Sequence, residues 1–261
     1  MSKLSIQNIN IHYESVGQGD PLLLLHGLGS STRDWEKQIA FFSKNYQVIT
    51  VDIRGHGQSD KPPGPYSIAL FAADIAELIN ILDIKPVHVV GISMGGMIAY
   101  QLAATHHQLV KSMTIVNATP EFVVRTFKER FNVFQRQLIV RLLGMRKIGK
   151  VLSKRLFIKP EQEELRTIFI ERWAENDSKT YLKAMKAIVG WSVVDKLKNI
   201  DCPTLILAAD EDYTSVEEKK KFASIMNQAE ISIIKDSRHA TPIEHPKLFN
   251  QTVIDFLNKQ S

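Results

Sequence analysis

The chain has 261 residues, 44% hydrophobic and 23% charged, which suits one soluble domain, or one domain with an insertion, able to bury a core without covalent staples. Its single cysteine, Cys202, excludes an intrachain disulfide and fits a reducing compartment. No apolar run reaches the ~18 residues of a membrane span and the opening MSKLSIQNINIHYES carries no signal-peptide core, so a cytoplasmic location is expected. The net charge of +5 is unevenly spread: residues 121–159 hold eleven Lys/Arg against two Glu, and the remainder is net negative.

From Leu4 to Val16 the alternation predicts a β-hairpin turning near Asn8 and Asn10. Gly17-Gln18-Gly19-Asp20-Pro21 marks a loop, and Leu22–Leu25 is a short apolar run of the kind buried on both faces of a parallel sheet. Ser30-Ser31-Thr32 offers an N-cap for a helix through Trp35 and Phe41. Strands follow at 47–51, 87–90 and 111–116, with helices at 69–82 and 94–105 between them. This βαβα alternation predicts an α/β fold: a mostly parallel central sheet flanked by helices, with the antiparallel hairpin at its N-terminal side.

The alternation stops at Pro120. From there to about Gly190 no strand-like run appears, and the basic, apolar-striped segment reads as helix broken at Pro160, with further helices over 161–174 and 179–189. Strand and helix then resume at 203–208, 217–226, 231–234 and 245–258. The expected division is therefore a core of residues 1–119 and 191–261, interrupted by a helical lid over 120–190. The basic charge of that insertion has two readings, a solvated helix face or a surface drawing an anionic or carrier-bound substrate.

Ligands in open parallel sheets bind at the carboxyl ends of the strands. Here those ends carry His26-Gly27-Leu28-Gly29, then Asp52-Ile53-Arg54-Gly55-His56, then Gly91-Ile92-Ser93-Met94-Gly95, then Ala209-Asp210-Glu211-Asp212, then Asp236-Ser237-Arg238-His239. A serine hydroxyl becomes a nucleophile only with a base in reach and a partner that fixes the base's tautomer. A tight strand-to-helix turn, permitted by Gly91 and Gly95, exposes Ser93. The amide of Met94 is placed to meet a developing oxyanion, and Leu28 in the loop after Gly27 supplies the second amide. Gly91-x-Ser93-x-x-Gly96 also lies one substitution from a dinucleotide-binding loop. Such a loop opens the first βα unit and has an acid at the next strand end, where this chain has Asn117.

The segments GQGDPLLLLHGLG, DIRGHGQSD, GISMGGMIA, LILAADEDYT and DSRHATPIEHPKLF, in this order and spacing, resemble the α/β-hydrolase fold family over nearly the whole chain. The resemblance implies Ser93 as nucleophile, Asp212 as acid and His239 as base, with a helical cap inserted ahead of the acid strand. His26 is implied to be structural, and Arg54 and His56 are expected to brace their own loop. Ala209 and Ser215 depart from the family's usual residues, which leaves Asp210 as the competing acid. Ser93 argues against the members with an aspartate nucleophile.

The expected activity is hydrolysis of a small-molecule carboxylic ester or thioester through an acyl-enzyme, with no cofactor and no metal. Carbon–carbon bond hydrolases, lactonases and esterases of carrier-bound acyl chains share the same elbow and triad, and some family members only sense a ligand. No recognition module for nucleic acid is present.

Overall fold

The computed structural model describes residues 2–260. β1 (Ser2–Ile6) and β2 (Ile9–Val16) form the hairpin, joined by Gln7 and Asn8, both at positive φ. β3 (Asp20–Leu25) leads through a 3-10 turn at Thr32–Trp35 into α1 (Glu36–Phe42). Ser31 stands at the N-cap of that turn as expected, but its side chain makes no capping bond. β4 (Tyr46–Val51), α2 (Ile68–Ile81), β5 (Val87–Ile92), α3 (Met94–Thr105) and β6 (Val110–Val116) complete the first half. After α4 (Phe127–Leu156), α5 (Glu163–Ala174) and α6 (Ser178–Ile188), the chain returns through β7 (Thr204–Ala209), α7 (Val216–Ala223), β8 (Ala229–Ile234), α8 (Thr241–Glu244) and α9 (Pro246–Leu257).

The strands form one sheet in the order β1-β2-β4-β3-β5-β6-β7-β8. The pairs β1–β2 and β2–β4 are antiparallel and all others parallel. Alternate side chains of a strand point to opposite faces, so the four leucines of β3 divide between two cores. Leu23 and Leu25 join α2 and α3 on one face, through Phe71, Ile75, Ile98 and Tyr100. Leu22 and Leu24 join α1 and α9 on the other, through Trp35, Phe42, Phe249 and Val253. Each such fully buried leucine contributes about 1.5–3 kcal/mol, and this two-sided burial explains why the run lacks polar residues.

α4 begins with a reciprocal capping box between Thr126 and Glu129 and kinks at Gly144, which has φ 73°. Its inward residues build a separate cluster, Val140, Met145, Ile148 and Leu152 with Trp173, Tyr181 and Met185. Its outer face leaves a stripe of large apolar side chains in solvent, Phe127, Phe131, Phe134, Leu138 and Leu142. The ends of the helical segment between β6 and β7 are tied together by a bridge between Glu121 and Ser192 and by bonds between Phe122 and both Gly190 and Trp191. No helix among the described residues is long and apolar enough to cross a membrane.

Candidate active site

β3 lies between β4 and β5, so the chain leaves β4 to one side and returns, through α2, on the other. The crevice at such a reversal is where open α/β sheets bind ligands. The ends of β3 and β5 flank it and carry the loop His26-Gly27-Leu28 and Ser93.

Ser93 sits at φ 55°, ψ −117°, between the end of β5 and the first residue of α3. Sterics make that conformation costly for a residue with a Cβ, and the surroundings hold it there. Ser93 N–H donates to the Val116 carbonyl, and the Ser93 carbonyl accepts from Met97 N–H, both at 3.0 Å. Gly91 and Gly95 are obligatory: a Cβ on Gly91 would lie 2.3 Å from the Gly95 carbonyl oxygen, and one on Gly95 would lie 2.1 Å from that of Leu25. A Cβ on Gly96 would fall 2.7 Å from Ala118, so this glycine lets α3 approach the end of β6. Gly27 lies beside the serine, its notional Cβ 3.4 Å from Ser93 Cβ. Met94 opens α3, where first-turn amides find no acceptor inside the helix. Neither Met94 nor Leu28 N–H has a protein acceptor among the described residues.

The loop after β7 brings Asp212 to His239, with His239 Nδ1 donating to Asp212 Oδ1 at 2.6 Å. The other carboxylate oxygen accepts from Lys219 Nζ at 2.6 Å and Thr214 Oγ1 at 2.7 Å. The Asp212 and Lys219 side chains are both fully enclosed. Burial alone pushes the Asp212 carboxyl up, but His239 and Lys219 together outweigh it and hold the group well below the usual carboxylate range. Asp210 is exposed, and its Oδ1 accepts from Ser237 N–H at 3.2 Å instead. Tyr213 lies over the His239 ring, centroid to centroid 4.5 Å. Ser93 Oγ and His239 Nε2 share no hydrogen bond among the described residues.

Ser93 and His239 both open into a cavity of about 440 Å³ roofed by α4, α5 and α6. Its lining is mostly apolar, with Leu28, Met97, Ile139, Leu152, Trp173 and Met185 among the residues around it. The roof is pinned to the core by Arg172, which bonds Asp34 at 3.0 Å and Glu36 at 2.7 Å, and by Asn176 Nδ2, which donates to the Gly29 carbonyl at 2.9 Å.

The sequence matches the family model of the alpha/beta hydrolase fold over residues 20–246. The chain belongs to the alpha/beta hydrolase fold family. It is 32% identical over 250 residues to a protein of Acinetobacter baylyi named (E)-2-((N-methylformamido)methylene)succinate hydrolase, covering 94% of this chain and 93% of that one. It is 27% identical over 256 residues to 3-oxoadipate enol-lactonase 2 of the same organism, covering 96% and 94%. The fold superimposes on the crystal structure of the enol-lactonase from Burkholderia xenovorans LB400 with TM-score 0.91 and 24% identity, over 98% of this chain and all of that one.

Within this alpha/beta hydrolase, His26 and its neighbours brace the site from below. Ile53 N–H donates to His26 Nε2 at 3.0 Å, which places the ring proton on Nδ1, 2.8 Å from the Gly27 carbonyl. Asp52 accepts from the amides of Thr32 at 2.7 Å and Gln58 at 2.8 Å, joining two loops. Arg54 forms a buried two-pronged pair with Asp74 of α2.

Three residues matter more than the sequence suggested. Asn117, noticed only as the acid missing after β6, donates from Nδ2 to the His239 carbonyl at 3.0 Å and to Thr241 Oγ1 at 2.9 Å. Its Oδ1 accepts from Ala209 N–H at 2.8 Å, so one side chain registers the His239 loop against the end of β7. Lys219 sits in the run Glu217-Glu218-Lys219-Lys220-Lys221, where nothing local marks one lysine as buried. Arg136 reaches the cavity wall.

Burial also sets a pH response. It pushes the His56 imidazole down to about 3, helped by His26, and the His88 imidazole down to about 4, helped by Lys111. Unfolded histidines titrate near 6.5, so below that pH the unfolded chain binds protons that the folded chain refuses. Stability contributed by these neutral rings is complete above pH 6.5 and is lost as pH falls towards 4. The urea midpoint is therefore expected to be level above pH 7 and to fall between pH 6.5 and 4, less steeply in His88→Asn. A midpoint unchanged from pH 7 to 4 contradicts this account.

Proposed function

We propose that the protein hydrolyses a carboxylic ester or thioester through an acyl-enzyme, with Ser93 as nucleophile, His239 as base and Asp212 as the group orienting His239. The observation that carries this reading is the 2.6 Å bond from His239 Nδ1 to Asp212, with Ser93 on its positive-φ turn facing the same cavity. That bond assigns the Nδ1 proton and leaves Nε2 free to take another.

Ser93 Oγ attacks the acyl carbon while its proton passes to His239 Nε2. The oxyanion is held by the amides of Leu28 and Met94. As the tetrahedral intermediate collapses, the carbon–oxygen or carbon–sulfur bond breaks and the leaving group takes the proton from His239. Water then gives a proton to His239 and its oxygen to the acyl carbon, the bond to Ser93 Oγ breaks as His239 passes that proton to the oxygen, and the acid departs with the serine and the neutral imidazole restored. The helices of 120–190 act as the lid, shaping the acyl pocket and limiting water. Two relatives are named or described as enol-lactonases. Their names favour a lactone, an internal ester opened by the same steps, as the second reading.

A panel of p-nitrophenyl esters, thioesters and lactones tests the proposal, alongside a fluorophosphonate probe. Turnover of esters or lactones and a single adduct on the peptide bearing Ser93 are expected. A wild-type protein inert to the whole panel and unlabelled by the probe overturns it.

A further inference from the structure

Most cationic side chains of the inserted segment that make ion pairs do so at the surface. Arg125 pairs with Glu121, Arg146 with Glu171, Arg166 with Glu163, and Lys159 with Asp236. Arg136 differs: it lines the cavity that Ser93 and His239 share, and no carboxylate pairs with it among the described residues. Arg155 lines the cavity towards solvent, again with no acidic partner among the described residues. The carboxylate in the lining, Asp34, is engaged by Arg172 and by Ser30. The wall is therefore apolar with an uncompensated positive charge.

Arg136 is also fixed in place. Its Nε donates to Tyr181 Oη at 2.6 Å, and its guanidinium carbon stands 5.6 Å from the Tyr181 ring centroid and 5.9 Å from that of Trp173. Both rings are buried, and Trp173 stacks on Phe169 at 4.9 Å. A Cβ on Gly29 would meet these same two rings at 3.0–3.1 Å, so the platform under Arg136 abuts the loop that carries Leu28. With Nε occupied, the end-on edge formed by the two Nη groups is left for a partner. The buried Trp173 Nε1–H has no acceptor among the described residues either. A guanidinium is suited to bidentate recognition of a planar anion, and it gains most where water is scarce.

We infer that the cavity takes a substrate bearing a free carboxylate remote from the scissile acyl carbon, gripped end-on by Arg136, with Arg155 adding attraction at the mouth. This rests on the ester or lactone hydrolase reading and names its substrate class. Arg136 is a specificity-determining residue here: it touches the substrate's distant end and takes no part in bond breaking.

The test compares an anionic ester, mono-p-nitrophenyl glutarate, with neutral p-nitrophenyl valerate, in wild type, Arg136→Met, Arg136→Lys and Arg155→Met. The ratio of kcat/KM for the two esters within one preparation cancels any difference in folded fraction. Wild type should prefer the anionic ester. Arg136→Met should cut that ratio on the order of 30- to 100-fold, mainly through KM, as expected for loss of one partner of a desolvated charge pair. Arg136→Lys should fall between, keeping the charge without the fork, and Arg155→Met should cost less and mostly at low salt. An unchanged ratio in Arg136→Met, or no wild-type preference for the anion, overturns the inference while the hydrolase reading stands. If no ester is turned over, a thermal shift decides independently. Glutarate should raise the Tm of wild type but not of Arg136→Met, and equal shifts in the two proteins overturn the inference.

Discussion

Ser93→Ala is expected to lower kcat for ester hydrolysis on the order of 10⁴- to 10⁶-fold, with the fold intact. Alanine carries the same Cβ into the same φ 55° turn, so neither backbone strain nor the fit against Gly27 changes. Only the hydroxyl is lost, and no protein group is left without a partner. His239→Ala should cost a similar factor. The double variant should be no worse than either alone, because a nucleophile and its base act as one unit. Initial rates on p-nitrophenyl esters, with circular dichroism as the folding control, measure this. Wild-type rates in Ser93→Ala would remove the serine from the mechanism.

Asp212→Asn should lower kcat on the order of 10³- to 10⁴-fold with KM nearly held, while Asp210→Asn stays within about 3-fold of wild type. The two aspartates lie two residues apart in one loop, yet their environments differ. Asp212 meets His239 with one oxygen and Lys219 with the other, with its side chain out of water. An amide there can present a donor to Nδ1, which selects the wrong imidazole tautomer. Asp210 is exposed and holds only the Ser237 amide. Asp212→Asn should also reduce stability, by about 3–5 kcal/mol, because the enclosed Lys219 ammonium loses its counter-charge. The kinetic loss is read at a temperature where the variant is folded, and the stability loss from its urea midpoint. If Asp210→Asn proves the more damaging for kcat, the acid has been assigned to the wrong residue.

Lys219 explains why a carboxylate can be tolerated at that depth. Desolvation opposes the charged form, and the Lys219 ammonium on one oxygen, with the His239 Nδ1–H bond on the other, restores it. Depression of the Asp212 carboxyl means its contribution to stability is present above about pH 4, where unfolded aspartates titrate, and is lost only as pH falls further. The acid response is thus layered, histidines first and Asp212 last.

The sequence alone determined the strands, the order of helices and strands, and the turn at Ser93, because these depend on local regularities. A run such as Leu22–Leu25 can be buried on both faces only in a sheet interior. Gly91 and Gly95 flank a serine at the one spacing where a strand can turn at once into a helix. Histidine and aspartate at later strand ends were legible because parallel strands deliver their carboxyl ends to one edge. Tertiary structure decided the rest. Which aspartate faces His239 depends on a rotation of two residues within a loop. The burial of Lys219 beside the exposed Lys220 depends on how α7 lies against that loop. Asn117 became a clamp only when β6, β7 and the His239 loop met around it. Arg136 was one of eleven cations in a basic stretch until α4 set it against Trp173 and Tyr181 among the residues lining the cavity. A charged side chain on a helix carries no local sign of the face it will occupy, because that is set by packing against residues distant in the chain.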